Sequence, residues 1–170
     1  MNYLFLDVET GGLTPDHSLL EVGAILTDCE LAPLATYSAL IRHSRYVVAA
    51  RALAVNGLSI AQCETDGVSL TEAGNALLAL GPAVPAGWNV AFDVGFVRAW
   101  LPAATVGWPF QMLDVQSAYL LRFGVLGSLR TAARQASVIN PAPHRALGDC
   151  ETTLGVARWL RGLPPPEAPL

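Results

Sequence analysis

The chain has 170 residues, 52% hydrophobic and only 14% charged, which is enough apolar chain for one globular domain and excludes a disordered one. Its basic residues are all Arg, 10 against 14 acids for a net charge of −4, with no run of like charge that would make a nucleic-acid-binding tail. Cys29, Cys63 and Cys150 are widely spaced with no CxxC pair, which argues against a zinc site or a disulfide framework and for reduced thiols in the cytoplasm.

The run Tyr3–Leu6 leads straight into Asp7, Val8, Glu9 and a Gly pair, the pattern of a strand buried on both faces. Residues i and i+2 of extended chain project to the same side, so Asp7 and Glu9 could share a cation. Equally, they could be solvated acids just past a strand, and further carboxylates must decide. Leu19–Thr27 and Thr36–Ile41 read as the next strands, joined by short connections as in an antiparallel meander. Arg42, His43 and Arg45 follow as a small basic group.

Val47–Val55 is helical in composition and stops at Asn56-Gly57. Ser69–Leu80 opens on a capping box, Ser69 with Glu72, and ends at Gly81-Pro82. Val84–Trp88 reads as a strand, Asn89–Trp100 as an amphipathic helix stopped by Pro102, and Met112-Leu113 as a short strand ending at Asp114. Two helices fit between Val115 and Ala136, Pro141 and Pro143 stiffen a loop, and Arg145–Leu160 forms the last helix. The tail Gly162–Leu170, with four Pro in nine residues, reads as disordered, leaving one domain over residues 1–161. No apolar run approaches the roughly 18 residues of a membrane span, and the N-terminus has no basic signal region. The strand order gives an α/β fold, a mixed sheet with an antiparallel meander and parallel strands added through helical crossovers.

Further acids do occur. Asp93 falls in the first turn of a helix entered from a strand, and Asp149 early in the last helix. Each alone is an ordinary helix-start acid. His144 lies five residues before Asp149, and the Pro-Ala-Pro segment sets it at or before the helix start, free to lean over a site. A neutral imidazole beside a metal is suited to taking a proton from water.

DVETGGL, NVAFD and HRALGDCET resemble the three motifs of the DEDDh 3′→5′ exonuclease family. That family includes the proofreading epsilon subunit of bacterial DNA polymerase III, RNase T and oligoribonuclease. ALAVNGLS, MLDVQSAYLL and GSLRTAAR extend the likeness, which covers Tyr3 to Leu160. The resemblance implies a ribonuclease H-like sheet, with Asp7, Glu9, Asp93 and Asp149 binding two divalent cations, Mg²⁺ or Mn²⁺, and His144 as general base. It also implies that the backbone around Thr10 and Gly11, with Leu13, holds the terminal nucleotide. Asn56 and Trp88 stand where epsilon-like members often carry His, which touches substrate preference and not the metal site. Asn89 matches a family Asn that caps the Asp93 helix or contacts substrate, and Asp114 matches a non-ligand acid of structural role.

Phosphodiester hydrolysis suits such a set. Two metals about 3.5–4 Å apart stabilise both the attacking and the leaving oxygen, and hard oxygen ligands suit Mg²⁺ or Mn²⁺. The implied function is an epsilon-like exonuclease that releases nucleoside 5′-monophosphates from single-stranded ends, on DNA. Alternatives are an exoribonuclease acting on short RNA or RNA 3′ ends, another phosphohydrolase of the same fold such as an endonuclease, and a non-catalytic nucleic-acid-binding or polymerase-associated subunit. A polymerase partner and a homodimer both stay open. With four acids assigned to metal, the rest of the chain is neutral, and only Arg42, Arg45, Arg51 and Arg145 fall near the site by sequence. Weak, distributive binding of the last few nucleotides follows, with a shallow salt dependence.

Overall fold

Along the first strand, β1 (Tyr3–Thr10), successive side chains turn to opposite faces. Leu4, Leu6 and Val8 enter one apolar cluster and Phe5 enters another. The computed structural model, which describes residues 1–162, accordingly sets β1 inside a sheet covered on both sides. β2 (Leu19–Thr27) pairs antiparallel with β1, and β3 (Pro33–Arg42) pairs antiparallel with β2, which is the expected meander. β4 (Val68–Ser69) adds parallel to β3 at one edge. β5 (Val84–Gly87) and β6 (Leu113–Asp114) add in parallel beyond β1, giving the order β4-β3-β2-β1-β5-β6.

Helices cover both faces. α3 (Leu70–Ala79) and α4 (Val90–Trp100) bring Ala73, Leu77, Val90, Val94 and Phe96 onto Leu4, Leu6 and Val22. α5 (Val115–Phe123), α6 (Leu129–Gln135) and α7 (Ala146–Gly162) bring Val115, Tyr119, Ala132, Cys150 and Leu154 onto Phe5 and Ile25. α1 (Ala50–Asn56) and α2 (Ile60–Asp66) close a smaller cluster around Leu20, Leu58 and Cys63. With helices on both sides, all nine residues of β2 are buried, Glu21 among them. The fold is the α/β mixed sheet expected from the strand order and from the resemblance.

The boundaries differ from expectation where long-range contacts intervene. The first helix starts at Ala50 and not Val47, because Val47 is bound to Ser18 through both its N–H, 2.9 Å from the Ser18 hydroxyl, and its carbonyl, 2.9 Å from the Ser18 N–H. α2 carries a capping box of its own, Ser59 with Gln62, that sequence reading passed over. β5 stops at Gly87 because Asn89 turns the chain with a left-handed φ of 59°. The expected tail lies outside the described residues except for Gly162, which ends α7. Among the described residues no helix is long and apolar enough to cross a membrane.

Candidate active site

Asp7 and Glu9 share the face of β1 that Phe5 gives to α7. Across the β1–β2 ladder, Asp7 stands opposite Gly23 and Glu9 opposite Glu21. A Cβ at Gly23 would fall 2.5 Å from the Ala146 carbonyl carbon and 2.5 Å from the Leu147 nitrogen. Only glycine lets the first turn of α7 rest on β2 at this point, and the Cys150 thiol then donates to the Gly23 carbonyl at 3.3 Å. That close approach carries Asp149 to the β1 acids. A glycine inside a strand was the available signal.

Asp93 arrives from the other side. β5 pairs with β1 only as far as Phe5, so the Val8 N–H lies beyond the end of its neighbour. It donates to Asp93 Oδ1 at 2.9 Å, and Asp93 is buried there. Asp114 fixes the turn into α4: its Oδ1 accepts from Asn89 N–H at 2.9 Å and from Gln116 N–H at 3.2 Å, and its Oδ2 from the Ser117 hydroxyl at 2.7 Å. Asp114 thus has the structural role expected of it. Asn89 occupies the N-cap position, but its side chain caps nothing and is exposed. Its left-handed backbone points the side chain away from the first turn, so the expected capping role is corrected.

Asp149 sits in the first turn of α7, where its Oδ1 accepts from Asn140 Nδ2 at 2.6 Å. Asn140 in turn accepts from Ala142 N–H at 3.0 Å, tying the proline loop to the acid. The sequence signal for Asn140 was the Asn-Pro pair that opens that loop. His144 is exposed on the same loop, with a left-handed φ of 60°. One ring nitrogen of His144 and one oxygen each from Glu9 and Asp149 all lie within 4.8 Å of one another.

The electrostatics follow from crowding. Burial, then the neighbouring Asp93, Asp149 and Glu9, push Asp7 well above the usual carboxylate range. Burial raises Asp93 as well, against the Val8 hydrogen bond that lowers it. Glu9 is pushed up to about 7 by burial and then by Asp149 and Glu21, with Arg145 and the Asn56 amide acting against. Burial raises Asp149, opposed by Asn140 and His144. Four acids held this close are each pushed toward the protonated form, and Arg145 and His144 offset this only in part.

One of the four Arg that the sequence places near the site, Arg145, is spent on another partner. Arg145 donates from Nε and Nη2 to Glu21 at 3.0 and 2.8 Å, and the Ala146 N–H adds a bond to the same carboxylate at 3.2 Å. Glu21 is buried and was not singled out in the sequence, because only the strand register sets it beside Glu9. Its pairing leaves Arg145 little freedom to grip a phosphate. Arg51 borders the groove beside Glu9, as expected, whereas Arg42 and Arg45 line none of the grooves beside the acids.

That groove, of about 670 Å³, is lined by Glu9, Thr10, Leu13, Asn56 and Phe92. Leu13 is 85% exposed at its rim, available for apolar contact. Thr10 and Gly11 are held inward: the Thr10 hydroxyl donates to Gly12 O at 2.7 Å, and Gly11 N–H donates to Ser18 O at 2.8 Å. Asn56 is buried, donating to Thr10 O at 3.2 Å and accepting from Leu58 N–H at 3.1 Å. These bonds shape the groove wall and leave Thr10, Gly11 and Asn56 little capacity for direct polar contact. Trp88 packs on Tyr119, with ring centroids 5.7 Å apart, in the core behind the site.

A family model described as Exonuclease, RNase_T, matches residues 4–157. Among solved structures, E. coli Exonuclease I in complex with a dT13 oligonucleotide is 18% identical, with a TM-score of 0.80 over 95% of this chain and 41% of its own. A moderately thermophilic Exonuclease I from Methylocaldum szegediense is 21% identical, with a TM-score of 0.77 over 97% of this chain and 41% of its own. The zinc ion bound form of the E. coli Exonuclease I complex with single-stranded DNA is 18% identical, with a TM-score of 0.74 over 94% and 40%. The chain thus spans about two-fifths of the length of these structures. No curated protein matches.

Proposed function

The chain belongs to the Exonuclease family, RNase_T, and from that membership we propose that it is a divalent-metal-dependent 3′→5′ exonuclease acting on single-stranded DNA ends. One observation carries the reading: Asp7, Glu9, Asp93 and Asp149 converge on the carboxyl-terminal half of β1, beyond the end of β5, with His144 at their rim. Ligands of open α/β sheets sit in that crevice.

The residues fit a pair of hard cations. All four acids offer oxygen, they repel one another, and their nearest Arg is occupied by Glu21. The proposed ligands are Asp7, Glu9, Asp93 and Asp149, for two ions of Mg²⁺ or Mn²⁺. When bound, such ions supply the charge that stabilises the attacking and leaving oxygens of phosphodiester hydrolysis. Asp93 is fixed by the Val8 N–H and Asp149 by Asn140, so their oxygens are held before substrate arrives. His144, exposed and beside Glu9 and Asp149, takes the proton of the attacking water. The groove at Leu13 and Phe92 receives the 3′-terminal nucleoside, its base against apolar wall.

DNA is preferred over RNA in this reading because the similar Exonuclease I structures are described with dT13 and dA16 oligonucleotides. Digestion of matched 5′-labelled DNA and RNA oligomers with Mg²⁺ or Mn²⁺ tests it. The expected result is a ladder shortening from the 3′ end of DNA, with nucleoside 5′-monophosphates released. A faster RNA ladder would move the substrate to RNA, and internal cuts would overturn the exonuclease reading.

A further inference from the structure

A second groove, of about 610 Å³, opens beside Asp149 and His144 and shares no lining residue with the groove at Leu13. Asn140, Pro143, His144 and Asp149 form one wall, and α6 forms the other with Arg130 and Arg134. The two Arg are four residues apart, which sets them on one helix face with Cβ atoms about 5–6 Å from each other. Both are exposed, and among the described residues neither is in an ion pair. The protein thus holds two uncompensated guanidinium groups beside its most acidic cluster, where a nucleic-acid strand would otherwise meet repulsion. Sequence reading missed them because α6 is remote from every motif acid, the nearest, Asp149, lying 15 residues past Arg134.

We propose that the Arg130–Arg134 groove binds the phosphates of the strand upstream of the scissile bond, so that substrate crosses the acids from this groove to the one at Leu13. The proposal rests on the exonuclease reading and gives the strand its direction. Guanidinium forks suit phosphate oxygens in bidentate geometry, and Ser128 caps the helix that carries them, its hydroxyl accepting from Thr131 N–H at 3.2 Å. The binding is sequence-independent, since nothing in this wall offers a pattern for base edges. It also sharpens the salt dependence, because two phosphate contacts lie outside the set of Arg that the sequence placed near the site.

The test is binding and hydrolysis of dT10 and dT2 across a salt series for the wild type, R130Q/R134Q and R98Q. Binding is read by fluorescence anisotropy of a 3′-phosphorothioate dT10 in Ca²⁺. The double variant is expected to lower the slope of log Kobs against log salt by about 1–2, and to weaken dT10 binding about tenfold at moderate salt. The ratio of kcat/KM on dT10 to that on dT2 should fall by a similar factor. Arg98 lies exposed on α4, and R98Q should keep the wild-type slope. An unchanged slope in R130Q/R134Q, or an equal loss in R98Q, overturns the groove. If the wild type binds dT10 and hydrolyses neither oligomer, the exonuclease reading fails while the slopes still decide the groove.

Discussion

Replacing Glu9 with Gln is expected to stabilise the metal-free protein at alkaline pH, although it removes a proposed metal ligand. Burial, Asp149 and Glu21 raise the Glu9 carboxyl from 4.5 to about 7 in the folded chain. Between those two values the folded state holds a proton that the unfolded state has released. The group therefore favours folding most below pH 4.5, and this contribution is lost as pH rises through 7. Above that, keeping Glu9 ionised costs about 3 kcal/mol. Gln keeps the shape and an amide that Asn56 can face, and it carries no charge at any pH. In EDTA at pH 8.5, Glu9→Gln should melt roughly 5–10 °C above the wild type, given about 2–4 °C per kcal/mol for a chain of this size. Near pH 5 the gap should shrink to a degree or two. Saturating Mg²⁺ should raise the wild type far more than the variant. Scanning calorimetry across this pH range, with and without Mg²⁺, reads all three. Equal melting temperatures at pH 8.5 in EDTA, or equal metal shifts in the two proteins, would refute the charge-crowded site.

Three further outcomes follow. His144→Ala should lower the hydrolysis rate about 10²–10⁴-fold, alter the ascending limb of the pH–rate profile and leave metal affinity nearly unchanged; loss of metal binding in calorimetric titration would make His144 a ligand. Asp93→Asn keeps an oxygen for the Val8 N–H, whereas Asp93→Leu orphans that buried donor, so chemical denaturation should show Asp93→Leu less stable by about 1–3 kcal/mol. Gly23→Ala drives a Cβ into the backbone of Ala146 and Leu147; it should cost about 1–3 kcal/mol and lower activity together, because Asp149 moves with α7.

The motif acids and His144 were legible because each lies in a stretch whose local pattern, strand end or helix start, fixes its direction. What the sequence hid depends on register and close approach. Glu21 reads as one more strand residue until the β1–β2 ladder sets it opposite Glu9, and Arg145 reads as a phosphate ligand until Glu21 takes it. Gly23 was hidden in an apolar run, although the seating of α7 depends on it. Asn89 looked like a cap because Asn commonly is one, but its left-handed turn is set by Asp114, 25 residues away. Of the α-helices among the described residues, α2 was passed over. Its Ser59-Gln62 box was the usable signal.

The most direct measurement of the central claim is the time course of a 5′-labelled single-stranded DNA 20-mer in Mn²⁺, run with the wild type and Asp7→Asn at equal concentration. Asp93, Asp149 and Glu9 all act on the buried Asp7 carboxyl and raise it. The account predicts a ladder shortening from the 3′ end for the wild type, abolished by EDTA. For a folded Asp7→Asn it predicts a rate lower by about 10³-fold or more, several kcal/mol of transition-state stabilisation. Comparable ladders from the two proteins, or a wild-type ladder that persists in EDTA, would contradict it.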